Sequence, residues 1–212
     1  MSLPVPVDAE IVVEGLAKRF GPREIFSRIG FTLATGDALA VVGHNGSGKS
    51  TLMKILANVT EKNSGSIRWR LSGKELSSVD LIPAIGFVAP YLHLYGEFTA
   101  WEHTEMLQSL RGLPFPAERA SELFALFGLT HRRHDPVKTF SSGMTQRVKF
   151  ICALLHNPPF LFLDEPTTNL DAAGIEAVHH IVGEERASRI TIVATNDPED
   201  RKLCNAMLSL SS

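Results

Sequence analysis

The 212-residue chain contains no apolar run near the roughly 20 residues that a membrane-crossing helix needs. Its start has no basic stretch followed by an apolar one, so no secretory leader is expected. Basic charge is not in excess: 21 Lys and Arg stand against 23 Asp and Glu, the net charge is −2 and the pI is near 6.4. Nothing in that balance attracts nucleic acid or an anionic membrane, and no nucleic-acid partner is expected. There are two cysteines, Cys152 and Cys204, too far apart for redox or metal-ligand spacing. They read as reduced thiols in a cytoplasmic protein. The eight histidines are scattered. Adjacent His179 and His180 would not face one another on a helix, which makes them surface or packing residues. Internal repeats, low-complexity segments and heptads are missing too.

What is present is ordinary for a globular unit: 44% of residues are hydrophobic and 21% charged, enough for one core with a small lobe. "EIVVEGLAKRF" and "EIFSRIGFTLATGDALAVVG" read as strands joined at Gly21-Pro22 and at Thr35-Gly36-Asp37. Ala38–Val42 is short and apolar, as a buried central strand is. "SGSIRWRLSG" continues an antiparallel layer. From Phe98 to about Leu129 the period turns helical, with Trp101, Glu105, Leu107 and Leu110, then Ala120, Leu123, Phe124 and Phe127, recurring at three and four. "GLPFPAE" separates two helices there. A long helix is predicted over Thr145–His156, with Met144, Val148, Ile151 and Leu155 on one face. "PPFLFLDEP" gives a strand, "AAGIEAVHHIVGEERA" a helix and "RITIVATN" a last strand. Such alternation implies an α/β fold with a mostly parallel sheet. The predicted division is a core at 1–90 carrying the antiparallel layer, a helical lobe at 91–148 and the rest of the core at 149–212.

"VVGHNGSGKST" (Val41–Thr51) contains Gly43-x4-Gly48-Lys49-Ser50, the P-loop pattern. Glycines at 43, 46 and 48 let the backbone wrap a polyphosphate and aim its N–H groups inward. A helix predicted to start at Lys49 turns its positive end to that anion. Lys49 should reach the β- and γ-phosphates of a nucleotide, and Ser50 should ligate Mg²⁺. Asn45, Ser47 and Thr51 complete the loop. "FLFLDEP" ends a strand in Asp164 and Glu165. Buried neighbouring carboxylates need a metal or polar partner, which suits Asp164 toward Mg²⁺ and Glu165 toward an attacking water. "FSSGMTQRV" provides a second anion-binding helix start: Ser141 and Ser142 can cap the helix and Gly143 permits close approach. In "TIVATNDPED" a buried strand ends in Thr195-Asn196-Asp197, where open α/β sheets bind ligands. Asn196 faces either a phosphate or its own turn, as an Asx cap.

The ordered set "GHNGSGKST", "FSSGMTQR", "FLFLDEP" and "TTNLD" resembles the nucleotide-binding subunit of an ABC transporter, from "LAKRFG" to "ATND". The resemblance implies a P-loop ATPase of ABC type that binds ATP and Mg²⁺. It implies that Phe20 stacks on adenine, that Ser141-Ser142-Gly143-Met144 complete the ATP site of a second copy, and that Asp171 closes a loop at that interface. Asn196 stands where the family usually has a histidine that contacts the γ-phosphate. Pro90 stands where it usually has a glutamine, and proline cannot ligate Mg²⁺ through its side chain. "FSSGM" replaces the commoner "LSGGQ". The expected function is ATP hydrolysis that drives a separate transmembrane permease from the cytoplasmic side, with two copies of the chain sandwiching two ATP. With no extension after the cassette, the chain resembles the small ATPases of export systems, such as the haem-export ATPase of cytochrome c maturation. Two other readings stand beside it. One is a non-transport ABC ATPase, although those usually carry two cassettes or a coiled coil. The other is a nucleotide-gated switch with negligible turnover, suggested by Pro90 and Asn196.

Overall fold

The computed structural model describes residues 7–184 and 186–210; residues 1–6, the start of the stretch without a leader pattern, lie outside the described residues. The elements in chain order are β1 (Ala9–Phe20), β2 (Arg23–Ala34), β3 (Ala38–Val42), α1 (Lys49–Leu56), β4 (Ser64–Leu71), β5 (Lys74–Glu75), α2 (Ser78–Leu81), β6 (Ile85–Val88), α3 (Ala100–Leu110), α4 (Ala117–Leu126), α5 (Ser142–Leu154), β7 (Phe160–Asp164), α6 (Ala172–Glu184), β8 (Ile190–Ala194), α7 (Pro198–Lys202) and β9 (Ala206–Ser209). They form an antiparallel sheet in the order β2-β1-β4-β5 and a parallel sheet in the order β6-β7-β8-β3-β9.

The parallel sheet is buried on both faces, which is why its strands are apolar runs rather than alternations. In β7, Phe160 and Phe162 pack with the antiparallel layer and α1, whereas Leu161 and Leu163 face α4, α5 and α6. Trp69 of β4 joins the first of these cores, with its ring 5.1 Å from Phe160 in an edge contact. Each large apolar side chain buried there contributes about 1.5–3 kcal/mol. In β1 the inward set shifts from Ala9, Ile11 and Val13 to Leu16 and Lys18. A register shift between Val13 and Leu16 accounts for the change of parity.

The sheet order fixes the site. β7, β8 and β3 are neighbours, and their register sets Asp164 opposite Ala194 and Ala194 opposite Val41. Whatever follows these three strands must converge. Glu165 N donates to Ala194 O at 2.8 Å, and Thr195 N donates to Val41 O at 3.1 Å, which locks the strand ends together.

Four expectations change. The last strand is not the one ending at Ala194 but β9, which pairs with β3 at the sheet edge and is only alternately buried. α5 starts at Ser142, three residues earlier than Thr145, and ends at Leu154 instead of His156. Ser141 alone is its cap, because Ser142 already lies in the first turn. In α3 the buried face is Ala100, His103, Thr104 and Gln108, and Leu110 is exposed. Local hydrogen bonds help polar side chains sit there: Thr104 donates to Trp101 O at 2.6 Å, and His103 bonds the Tyr95 amide and the Thr99 carbonyl.

Candidate functional site

The loop after β3 turns into α1 through Gly48, which adopts φ +100°. A Cβ on Gly48 would lie 2.4 Å from Ile25 Cγ2, so only glycine fits this corner. No side chain among the described residues caps α1. Its first N–H groups therefore remain available to an anion. The Ser47 hydroxyl is buried in the loop without a hydrogen bond among the described residues.

Lys49 reaches back under the loop and is 6% exposed. Its ammonium donates to Gly43 O at 2.9 Å and to Asn196 Oδ1 at 3.1 Å, and stands 3.7 Å from Glu165 Oε1. Asn196 in turn donates through Nδ2 to Asn45 Oδ1 at 2.7 Å. The side chain of Asn196 thus joins the P-loop and is not the cap of its own turn. Asp197 takes that role, accepting from Glu199 N at 2.8 Å at the start of α7.

Asp164 is fully buried, and neither carboxylate oxygen has a hydrogen-bond partner among the described residues. Burial pushes its pKa up; the nearby Ser50 and Tyr91 hydroxyls and the Lys49 and Lys54 ammonium groups oppose that shift. The hydroxyls are near enough to act on the charge without forming a geometrically sound bond to it. An orphaned carboxylate beside a serine hydroxyl is a donor set that suits a hard divalent cation such as Mg²⁺. Glu165 follows with φ +48°, a left-handed backbone unusual outside glycine. Burial also raises its pKa, against the pull of the Lys49 charge. Above this cluster opens a cleft of about 420 Å³ lined by Arg23, Ile25, Asn45, Gly46, Gly48, Lys49, Ser50, Thr51 and Glu165.

Other sequence-selected residues lie apart from that cleft. Phe20 is 53% exposed at the end of β1, with the Lys18 ammonium 4.7 Å above its ring; Arg23 and Ile25 of β2 line the cleft instead. Ser141, Ser142, Gly143 and Met144 do not line it either. Ser141 caps α5, accepting from Met144 N at 3.2 Å, and Ser142 is exposed. A Cβ on Gly143 would lie 2.8 Å from Asn169 O, so the close approach at this glycine comes from the chain itself. Asp171 accepts from Gly174 N at 2.9 Å and pairs with Arg147. Those two bonds, the backbone one first, hold its carboxyl below the usual range. Pro90 is exposed, and its carbonyl and that of Ala89 accept from the Lys149 ammonium at 3.2 Å each.

Sequence reasoning missed two groups. Asp200, fully enclosed, accepts from Thr195 Oγ1 at 2.9 Å and Thr167 Oγ1 at 3.0 Å, with His179 Nε2 at 3.4 Å. It ties the segment after Glu165 to the residue before Asn196. The other is Tyr91, whose buried hydroxyl has no hydrogen bond among the described residues. An aspartate in the first turn of a short helix signals a surface position, and nothing local to Tyr91 marks it.

Residues 26–168 match the family model described as ABC transporter. The chain belongs to that family. It is 35% identical over 164 residues to the uncharacterized ABC transporter ATP-binding protein YdbJ of Bacillus subtilis (strain 168), covering 77% of this chain and 53% of that protein. It is 33% identical over 184 residues to the lantibiotic transport ATP-binding protein SrtF of Streptococcus pyogenes, covering 87% of this chain and 78% of that one. The chain therefore spans about half the length of the first of these relatives. A solved ATP-binding subunit of an ABC transporter superposes with a TM-score of 0.84 at 26% identity, over 94% of this chain and 85% of the other. The fold is that of the family, a P-loop ATPase domain with an antiparallel layer beside a parallel sheet. ABC ATP-binding domains bind ATP and are ATPases. No helix among the described residues is long and apolar enough to cross a membrane.

Proposed function

We propose that the chain is the ATP-hydrolysing subunit of a transporter, working as a pair of copies against a separate membrane permease from the cytoplasmic side. The observation that carries this reading is the interlocked cluster of Lys49, Asn45, Asn196 and Glu165 beside the orphaned Asp164. The core, residues 1–90 and 149–212, holds the nucleotide, and the lobe at 91–148 presents the start of α5 to a partner. Gly43, Asn45, Gly46, Ser47, Gly48 and Thr51 shape the phosphate cradle, and Phe20 lies at the adenine end. Lys49 exchanges its carbonyl and amide acceptors for the β- and γ-phosphates, forming charge-assisted hydrogen bonds. Asp164 and Ser50 hold Mg²⁺, which when bound neutralises charge on the β- and γ-oxygens. Glu165 takes the proton of the attacking water as its oxygen bonds to the γ-phosphorus and the bond to the β-phosphate oxygen breaks. Asn196 donates an N–H to the γ-phosphate and relays no proton, since an amide does not titrate in this range.

The opposite half of the site comes from Ser141, Ser142 and Gly143 of the second copy, with Asp171 at the seam. The exposed α5 start, none of whose residues lines this chain's own cleft, supports that division. The names of the relatives, a lantibiotic transport ATP-binding protein among them, support a transport role.

The test is complementation. Ser142→Glu adds a charge that a helix start tolerates and a phosphate does not. Each of Ser142→Glu and Lys49→Ala should lack ATPase activity alone, and a one-to-one mixture should regain it through hybrid pairs with one intact site. A mixture as inactive as its components, with wild-type protein active under the same conditions, overturns the paired arrangement.

A further inference from the structure

β6 lies beside β7 at the sheet edge, and its register sets Val88 opposite Leu163. The residue after Val88 is therefore level with Asp164, and the chain passes Pro90 before Tyr91. The resemblance puts Pro90 where a glutamine side chain usually acts, so this segment provides no amide there. What it provides is a phenol. The Tyr91 hydroxyl and both Asp164 oxygens are buried and unbonded among the described residues, and they are near enough to influence one another.

Two contacts hold the ring and a third anchors the backbone before it. The Lys54 ammonium is 3.9 Å from its centroid, a cation–π contact that holds the ring against α1. Lys54 is one turn beyond Ser50, so both project from one side of that helix. Phe87 meets the ring edge-on with centroids 6.2 Å apart. Lys149 binds the backbone just upstream through Ala89 O and Pro90 O. A buried hydroxyl held this firmly without a partner needs an explanation.

We propose that Tyr91 is a positioning residue of the metal site, its hydroxyl orienting the Asp164 carboxylate and a metal-bound water where no glutamine is present. The inference rests on the reading of Asp164 as a Mg²⁺ ligand. It explains how Pro90 can be accommodated without loss of order at the metal, because the polar group comes from one position later along the chain.

The test uses Tyr91→Phe, which keeps the ring and its contact with Lys54 and removes only the oxygen. Mn²⁺ affinity is measured by electron paramagnetic resonance with a non-hydrolysable ATP analogue bound, and analogue affinity is measured again in chelator. Tyr91→Phe should weaken Mn²⁺ binding by roughly tenfold, the usual scale for groups that orient a metal ligand. Metal-free analogue affinity should not change. Melting of the nucleotide-free variant should match or exceed wild type, since an unbonded buried hydroxyl is gone. Equal Mn²⁺ affinity in the two proteins overturns the role of Tyr91. Wild-type protein whose analogue complex binds Mn²⁺ no better than Asp164→Ala overturns the Mg²⁺ reading instead. A variant that loses Mn²⁺ affinity only in step with a lower melting temperature makes Tyr91 a packing residue and also overturns the proposal.

Discussion

The two helix starts that the sequence marks as candidate anion sites are built in opposite ways. The start of α1 is enclosed: its lysine is buried and bonded to a carbonyl and an amide, beside a glutamate, and its glycine is forced by side chains from β2. The start of α5 is open: Ser141 serves the helix itself, Ser142 faces solvent, and Gly143 rests on a backbone oxygen of its own chain. One site is assembled before any ligand arrives. The other has a scaffold and no second wall. That difference is what a site shared between two copies demands, since each chain must hold its own nucleotide and still offer a surface to another.

The comparison can be sharpened by substitutions that act on the enclosed site alone. Glu165→Gln should reduce turnover by about 10²–10⁴-fold, the range for losing a general base, while ATP binding persists and an ATP-bound pair accumulates. Light scattering with ATP and a phosphate-release assay check both parts. Lys49→Ala removes charge-assisted bonds of about 1.5–3 kcal/mol, which corresponds to roughly 10- to 150-fold in ATP affinity. Calorimetry reads this directly, and unchanged affinity would mean the enclosed site is not the nucleotide site.

Asn196 is the subtler member. Asn196→Ala should lower turnover about tenfold through one lost hydrogen bond to the phosphate. Asn196→His should maintain or raise it. Neither should move the melting temperature by much, because Asp197 already caps the turn. Equal turnover in all three proteins removes Asn196 from the chemistry.

The smallest effect belongs to the open site. Ser141→Ala should cost about 1 kcal/mol of stability, or roughly 2–4 °C in melting for a chain of this size. ATP affinity of the chain's own cleft should stay the same. A fall in that affinity would break the contrast between the two helix starts.

The enclosed site was largely legible in the sequence because its parts are local. Ala38–Val42, Phe160–Asp164 and Ile190–Ala194 are apolar runs bounded by turn residues, and each leads into residues of the site. Tertiary placement decided the rest. The sequence leaves Asn196 open between a turn cap and the phosphate loop; the bonds of Asp197 to Glu199 and of Asn196 to Asn45 remove only the cap. β9 escaped notice because an edge strand of four residues, half of them exposed, has too weak a pattern. The early start of α5 was hidden by Ser142 and Gly143, poor formers of helix interiors that the first turn tolerates. Tyr91 could not be read at all, since its neighbour Asp164 is brought beside it only by the pairing of β6 with β7.

α5 connects its exposed start to the segment beside Asp164. It runs unbroken from Ser142 through Lys149, two turns or about 10 Å of stiff rod. At one end is the exposed start that we propose a second copy meets. At the other, an ammonium grips the carbonyls of Ala89 and Pro90, next to the tyrosine that faces Asp164. A tilt of the first turn must therefore drag on the segment beside Asp164, because a helix does not shorten to absorb it. A contact made at the far end would act as leverage on this chain's own acidic cluster.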